Sequence, residues 1–347
     1  MVRLIDVAKK AGVSHGTASN VFNNPKIVRK ELREQVEAAA RELGYAGPDP
    51  KGRLLRGGRY RALAVMPPLE GGIFDTLRNP VYAQFLQGVA EACDDNQATL
   101  VIASGKVGAP GVSDVLVDGA IFARVEQLAE LDQVRLRQMP FAVVDCNPGP
   151  GINAVIVDAR AGGHSAARHL LDLGHRNFAI MAFMRSSGPP ILHAAGLPRA
   201  PDAAGIAIDQ DKYQGYAEAL AAVGINIADV PMVQADVFDA TAPAMLLDAA
   251  PEATAILSMS VMQALGVIGE ARQRGLSVPG DLSVVGYNDI PEAALSDPPL
   301  TTVDSMTRQK GRQAADLVFS GEPPRHEIIK PQLILRNSTA PPKVRQV

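Results

Sequence analysis

After Arg61 the sequence alternates between short apolar runs and amphipathic stretches, and this alternation leaves few architectures open. The runs are ALAVM (62–66), ATLVIAS (98–104), GAIFA (119–123), FAVVD (141–145), AVIVD (154–158), FAIMAF (178–183), AILSM (255–259) and LSVVGY (282–287). Helical patterns lie between them over Val81–Asp94, Gly163–Leu173, Asp211–Val223, Val261–Arg274 and Thr307–Phe319. Strands that are apolar along their whole length must be covered on both faces, and intervening helices supply that cover. The expected body is therefore α/β, built on parallel sheets. With 347 residues, 47% of them hydrophobic, the chain is long enough for two or three domains with a large core.

The first 47 residues read differently. Leu4, Val7, Ala8 and Ala11 repeat at i, i+3, i+4 and i+7, the stripe of a short helix. Gly12 is suited to end it, because glycine adopts positive φ freely. Ser14 is placed to cap a second helix, whose apolar face is Ala18, Val21 and Phe22. A third helix, from about Lys30 to Leu43, presents Leu32, Val36, Ala39, Ala40 and Leu43, with Gly44 behind it. Two short helices joined by a Gly-containing turn form a helix-turn-helix, whose second helix enters the DNA major groove.

Charge follows the same division. Residues 1–61 carry 13 basic and 6 acidic side chains, whereas the remaining 286 carry 21 basic and 31 acidic. A basic head on an acidic body is the electrostatic footprint of a domain that sits on phosphate. Aromatics are only 4% and Trp is absent, which argues against a stacking platform for single strands. The two cysteines, Cys93 and Cys146, imply no disulfide framework. No apolar run has transmembrane length and no signal-peptide core follows Met1, so a cytoplasmic protein without a membrane partner is expected.

The segments DVAKKAGVS (6–14), TASNVFN (17–23) and EAAARELGY (37–45) resemble the N-terminus of the LacI/GalR family of bacterial transcription regulators. The resemblance continues in HLLDLGHR (169–176), VPGDLSVVGYNDI (278–290), PPLTTV (298–303) and RNSTAPP (336–342). It implies a helix-turn-helix headpiece over 1–47, a hinge or linker over 48–61, and a periplasmic-binding-protein-like core over 62–347. The core of that family has two parallel-sheet subdomains joined by three crossings. These are expected near Arg160, Pro291 and Glu322, giving one subdomain of about 62–160 and 291–322 and another of about 161–290 and 323–347.

The resemblance also implies a function: repression of transcription from a pseudo-palindromic operator on double-stranded DNA, by a homodimer under control of a small effector such as a sugar or related metabolite. By family position, His15, Gly16 and Asn20 face base edges, while Ser14 and Thr17 look like caps or phosphate contacts. Asn pairs bidentately with adenine in the major groove. Arg29 stands where a small hydroxyl residue often caps the third helix, and it is positioned to reach phosphate. In the linker PDPKGRLLRGGRYR, Arg53 and Leu55 complete the DNA-facing set, Leu55 matching a leucine that wedges into the minor groove from a hinge helix. Gly52 weakens that helix by about 1 kcal/mol relative to Ala, so a flexible basic linker is the alternative.

Effector contacts are expected at strand ends facing the cleft between subdomains. Tyr82 is a candidate to stack on the effector, or else to pack at a helix start; Asp145 is a hydrogen-bond acceptor; Asp158 is partly structural in the family. Lys212 replaces a frequent effector-clamping arginine, and Asn288 replaces an acid; Ser258 completes the set. Val261 stands where many members have an aspartate, so the pocket is expected to be less anionic and more apolar. Insertions at Leu69–Arg78 and Ser186–Asp209 are either lids or surface loops.

Two other classes compete. An enzyme would need a catalytic motif, but GHSAA at 163–167 lacks the final glycine of a nucleophile elbow. No GxGxxG follows the first strand, no P-loop occurs and the six histidines show no HExxH spacing, so no catalytic residue, cofactor or metal is expected. A purely ligand-binding protein of the periplasmic type conflicts with the basic helix-turn-helix.

Overall fold

The computed structural model describes residues 2–47, 60–67, 72–104, 112–123, 131–136, 138–184, 188–197 and 207–343. The chain divides into two compact units, Met1–Tyr60 and Arg61–Val347.

The head unit holds α1 (Leu4–Lys10), α2 (His15–Asn23) and α3 (Lys30–Leu43), with a 3-10 turn at Pro25–Ile27. Gly12 takes a φ of 61° between the first two helices, and the Ser14 hydroxyl accepts a 3.0 Å hydrogen bond from the Thr17 amide. Gly44 closes α3 at a φ of 67°. Arg29 precedes α3 without a side-chain cap bond. Val7, Ala8, Ala11, Ala18, Val21, Val36, Ala39 and Ala40 form the core, edged by the T-shaped pair Phe22–Tyr45. Val7 and Val36 are fully buried, each stabilising the head by about 1.5–3 kcal/mol. Gln35 donates to the Ala11 carbonyl at 2.9 Å, tying α3 to the turn.

The body begins with β1 (Ala62–Met66), α4 (Gly72–Arg78), α5 (Pro80–Asp95), β2 (Thr99–Ile102), β3 (Gly119–Ala123), α6 (Asp132–Leu136), β4 (Phe141–Val144) and β5 (Asn153–Val157). It continues with α7 (Ala159–Asp172), β6 (Phe178–Phe183), β7 (Ile191–His193), α8 (Ala207–Ala221), β8 (Met232–Ala235), α9 (Ala242–Ala249), β9 (Ala255–Ser258) and α10 (Val261–Gln273). The last elements are β10 (Ser283–Tyr287), α11 (Pro291–Leu295), β11 (Thr301–Asp304), α12 (Thr307–Ser320), β12 (His326–Ile329) and β13 (Gln332–Ile334).

These strands make two sheets. The first has the order β12-β5-β4-β3-β1-β2 and is parallel throughout. The second has the order β13-β11-β10-β9-β6-β8-β7 and is parallel except at its edges, where β13 and β7 run antiparallel to their neighbours. The apolar runs are the central strands, covered on both faces: Val65 and Ile121 face the α5 and α12 side of the first sheet, Ala64 and Phe122 the other. The second sheet is covered by α7 and α8 on one side and by α9 and α10 on the other.

The chain passes between the lobes three times, at Asp158, Ser305 and Lys330–Pro331. The first lies two residues from the expected Arg160. The second is not at Pro291, because β11 follows α11 and pairs with β10 in the second sheet. The third is not at Glu322, because β12 comes after it and pairs with β5 in the first sheet. The edge strands β12 and β13 are short and half polar, so their sheet membership is set by pairing and carries little signal in local pattern.

Candidate effector cleft and DNA-reading helix

In the head, the cap at Ser14 fixes where α2 starts and therefore which residues occupy its first turn. Ser14, His15 and Gly16 are exposed, while Thr17 and Asn20 are half-buried. Thr17 Oγ1 lies 2.9 Å from Ser14 Oγ, so these two hydroxyls are engaged with each other. Among the described residues no side chain is hydrogen-bonded to the side chains of His15 or Asn20, which leaves their polar atoms available to a base edge. Arg29 is exposed at the start of α3. Arg53 and Leu55 lie outside the described residues.

In the body, a cavity lies between the lobes, at the carboxyl ends of their strands. Tyr82, Asp145, Lys212 and Asn288, all expected from the sequence, line it together. Asp145 follows β4 and Asn288 follows β10, at φ values of 57° and 69°. Asp and Asn tolerate this left-handed conformation better than other side-chain-bearing residues. It turns the chain sharply at the strand end and directs both side chains to the cavity. Asn288 Oδ1 accepts from the Ser305 hydroxyl at 2.6 Å, beside the second crossing.

Two expected residues sit elsewhere. Asp158 is the N-cap of α7: its Oδ1 accepts from the Ala161 amide at 2.9 Å, and the residue is exposed outside the cavity lining. Ser258 is fully buried at the end of β9 and donates to the Ser260 carbonyl at 2.8 Å; the next two residues, Met259 and Ser260, reach the cavity in its place.

Two charged residues were not anticipated. Lys310 of α12 donates to Asp145 Oδ2 at 2.7 Å, and Asp209 of α8 accepts from Lys212 Nζ at 2.8 Å. Lys212 also donates to the Met259 carbonyl at 3.1 Å and lies 4.4 Å from the Tyr287 ring centroid. A signal for both was present in the sequence. Lys310 falls on the buried stripe of Thr307, Gly311, Ala314 and Val318, and Asp209 on that of Lys212, Tyr216 and Ala219. Charged residues at core positions of a helix are rarely buried without partners, which makes them candidates for a site. Burial pushes the phenols of Tyr216 and Tyr287 well above the ordinary tyrosine range, so both remain neutral beside the cavity.

The GHSAA segment lies inside α7, where Ser165 donates to the Gly162 carbonyl at 2.8 Å and is not displayed on a strand–helix elbow. Among the described residues no cluster of three or more His, Cys, Asp or Glu has metal-binding geometry, and no helix is long and apolar enough to cross a membrane.

A three-helix DNA-reading head joined to a two-lobed body with a polar cleft defines the class of ligand-responsive transcription regulators. Comparison with known proteins agrees. Residues 3–47 match the model of bacterial regulatory proteins of the lacI family, and residues 167–339 match the periplasmic binding protein-like domain. The chain is 31% identical to the HTH-type transcriptional regulator Rv3575c of Mycobacterium tuberculosis strain H37Rv, over 98% of this chain and 97% of that protein. It is similar to the solved structure of a transcriptional regulator CelR–cellobiose complex, with 26% identity, 97% of this chain and 100% of the other covered, and a TM-score of 0.65. The lac repressor dimer bound to operator and the anti-inducer ONPF shares the fold at 24% identity, with 98% and 99% covered and a TM-score of 0.73. The chain belongs to the LacI family: it is a non-enzymatic, DNA-binding transcriptional regulator controlled by a small-molecule effector.

Proposed function

We propose that this chain is a cytoplasmic repressor that binds a pseudo-palindromic operator as a two-fold homodimer, with an effector held in the body's cleft. The observation that carries the proposal is the coexistence in one chain of a capped α2 with an exposed first turn and a cleft lined by buried polar groups. His15, Gly16 and Asn20 read bases, and Ser14, Thr17 and Arg29 set the register on phosphate. A single head of this size binds weakly, and two heads on a palindrome multiply affinity. Tyr82, Asp145, Lys212 and Asn288 contact the effector, joined by Asp209 and Lys310.

Effector binding acts through differential affinity for two arrangements of the lobes. The reading is tested by selecting random duplex DNA on the full-length protein, in parallel with Asn20→Ala. A palindrome is expected to enrich, with altered half-site preference in the variant and affinity that falls steeply with salt. Failure to enrich any sequence, with or without a metabolite mixture, would sink the proposal.

A further inference from the structure

The chain crosses between the lobes at three places, and they are not alike. Asp158 and Lys330, at the first and third, are exposed. Ser305, at the second, is 1% exposed. Its hydroxyl is bonded to both lobes. It donates to Asn288 Oδ1 at 2.6 Å on the second-lobe side, and on the first-lobe side it lies 3.0 Å from the hydroxyl of Thr307, the first residue of α12. A hydroxyl has a single proton to donate. That of Ser305 goes to the amide oxygen of Asn288, which can only accept, so Thr307 is the donor to Ser305. The result is a directed chain, Thr307 to Ser305 to Asn288, that runs from one lobe to the other through the crossing itself. Bonds in such a chain polarise one another, and breaking it inside the protein leaves buried polar atoms without partners.

The backbone around the chain is fixed as well. Met306 has a φ of 53°, which a long side chain adopts at a cost. Asp304 holds it there, its Oδ1 accepting from the Met306 amide at 2.7 Å. The Asn288 amide donates at 2.8 Å to the carbonyl of Val303, in the strand that leads into the crossing. Residues in rare conformations persist where their surroundings determine them, and they gather at switch regions. Rotation of one lobe against the other at this crossing must strain or break the bonds of Ser305. Asn288 and Thr307 also line the effector cavity, so both ends of the chain border on whatever fills it, while Ser305 lies outside the lining.

We propose that Ser305 is a positioning residue of the regulatory switch. By joining Thr307 to Asn288, its hydroxyl sets the lobe angle on which operator affinity depends, without touching effector or DNA. The inference rests on the effector reading above for its link to operator binding.

The test uses full-length protein with one fluorophore in each lobe, read as single-molecule energy transfer, in Ser305→Ala, Thr307→Val, the double variant and Thr307→Ser. Ser305→Ala and Thr307→Val should each shift the ratio of lobe arrangements roughly 5- to 30-fold, the effect of one buried hydrogen bond lost with its partner left unpaired. The double variant should shift it no further, because either single change already breaks the same chain. Thr307→Ser keeps the hydroxyl and should match the parent. Ser165→Ala should match it too, since that hydroxyl bonds within α7. Affinity for the selected operator should change in the same direction in both single variants. Thr307→Val preserves side-chain volume, so with Thr307→Ser it carries the test if Ser305→Ala does not fold. A merely structural role would lower the melting temperature and leave the distances between lobes unchanged. That result, or additive shifts in the double variant, would overturn the proposal. Shifted distances with unchanged operator affinity would overturn the link to regulation. The distance measurement needs neither operator nor effector, so it decides the role of Ser305 even if no operator is recovered and the effector reading itself fails.

Discussion

Gly163 and Gly215 give each other clearance where α7 crosses α8. A Cβ on Gly163 would overlap the carbonyl oxygen of Lys212, and one on Gly215 would overlap the carbonyl oxygen of Arg160. The same reciprocal relation recurs in the first lobe, where Gly88 faces Arg308 and Gly311 faces Phe85. In each of the four cases the obstacle is backbone three residues before the opposing glycine. The two lobes therefore solve one packing problem in one way, and each close helix pair carries a cleft lysine, Lys212 on α8 and Lys310 on α12.

Backbone cannot swing aside as a side chain can, so a methyl group at these crossings must spread the helices. Gly215→Ala should cost about 1–3 kcal/mol, the range for overpacking, and lower the melting temperature of the body by roughly 3–10 °C. Gly311→Ala should do the same in the first lobe. By contrast, Gly269→Ala, on α10 with nothing near its Cβ position, should be neutral or slightly stabilising. Thermal denaturation of the three variants side by side checks the contrast; equal behaviour would refute it.

In the head, Ser14→Ala removes the acceptor for the Thr17 amide at the start of α2. The expected loss is about 1 kcal/mol, typical of an N-cap. Because this head is small, faster amide exchange in α2 should accompany weaker operator binding across all sequences, with half-site preference unchanged. Ser14→Asp, which keeps an acceptor, should retain the fold of the head.

Much of this architecture was legible in the sequence, for identifiable reasons. The runs at 62–66, 119–123 and 178–183 coincide with β1, β3 and β6 because fully covered central strands are apolar at every position. Lys30–Leu43 coincides with α3 because its amphipathic stripe is complete and Gly44 ends it. The strands that escaped were β7, β8, β11, β12 and β13, three or four residues each, in which pairing decides the structure. In the cleft, strand-end logic found Asp145 and the family resemblance pointed to Asn288, yet the same logic included Asp158, whose carboxylate caps a helix. Lys310 and Asp209 lie outside that logic, because both sit on buried faces of helices and not at strand ends.

His175 makes stability depend on pH in a defined direction. Its ring is 1% exposed, with Nδ1 2.9 Å from Thr254 Oγ1 and Nε2 2.8 Å from the Ala340 carbonyl. Burial holds its pKa below the ordinary value, an effect partly offset by the bond to Ala340. Burial also lowers His169, whose Nε2 lies 3.0 Å from Thr339 Oγ1, while nearby Asp172 acts in the opposite sense. The unfolded rings protonate near pH 6.5, as ordinary histidines do, whereas the folded rings resist. Stability is therefore full above about pH 6.5 and falls as pH drops toward the lowered folded values. Melting at pH 7.5 and 5.5 should show this decline, and His175→Gln should flatten it; an unchanged slope in the variant would assign the effect elsewhere.

A cation–π contact joins the two lobes. The Arg78 guanidinium, at the end of α4 in the first-lobe insertion, lies 4.2 Å from the ring centroid of Phe238 in the second lobe. Asp75 pairs with Arg78 at 2.8 Å, and the Phe74 ring is 5.9 Å away, so the cation is held in place from its own side. Such a contact contributes about 0.5–2 kcal/mol, enough to shift a two-state lobe equilibrium roughly 2- to 30-fold. Phe238→Leu keeps apolar bulk and removes the π face, so it should raise the open fraction without unfolding the body. Arg78→Lys should have a smaller effect, since an ammonium keeps the charge and loses the planar stack. Fluorophores placed one in each lobe report the change as a longer mean distance in Phe238→Leu. If the distance stays the same, the contact is incidental to lobe closure.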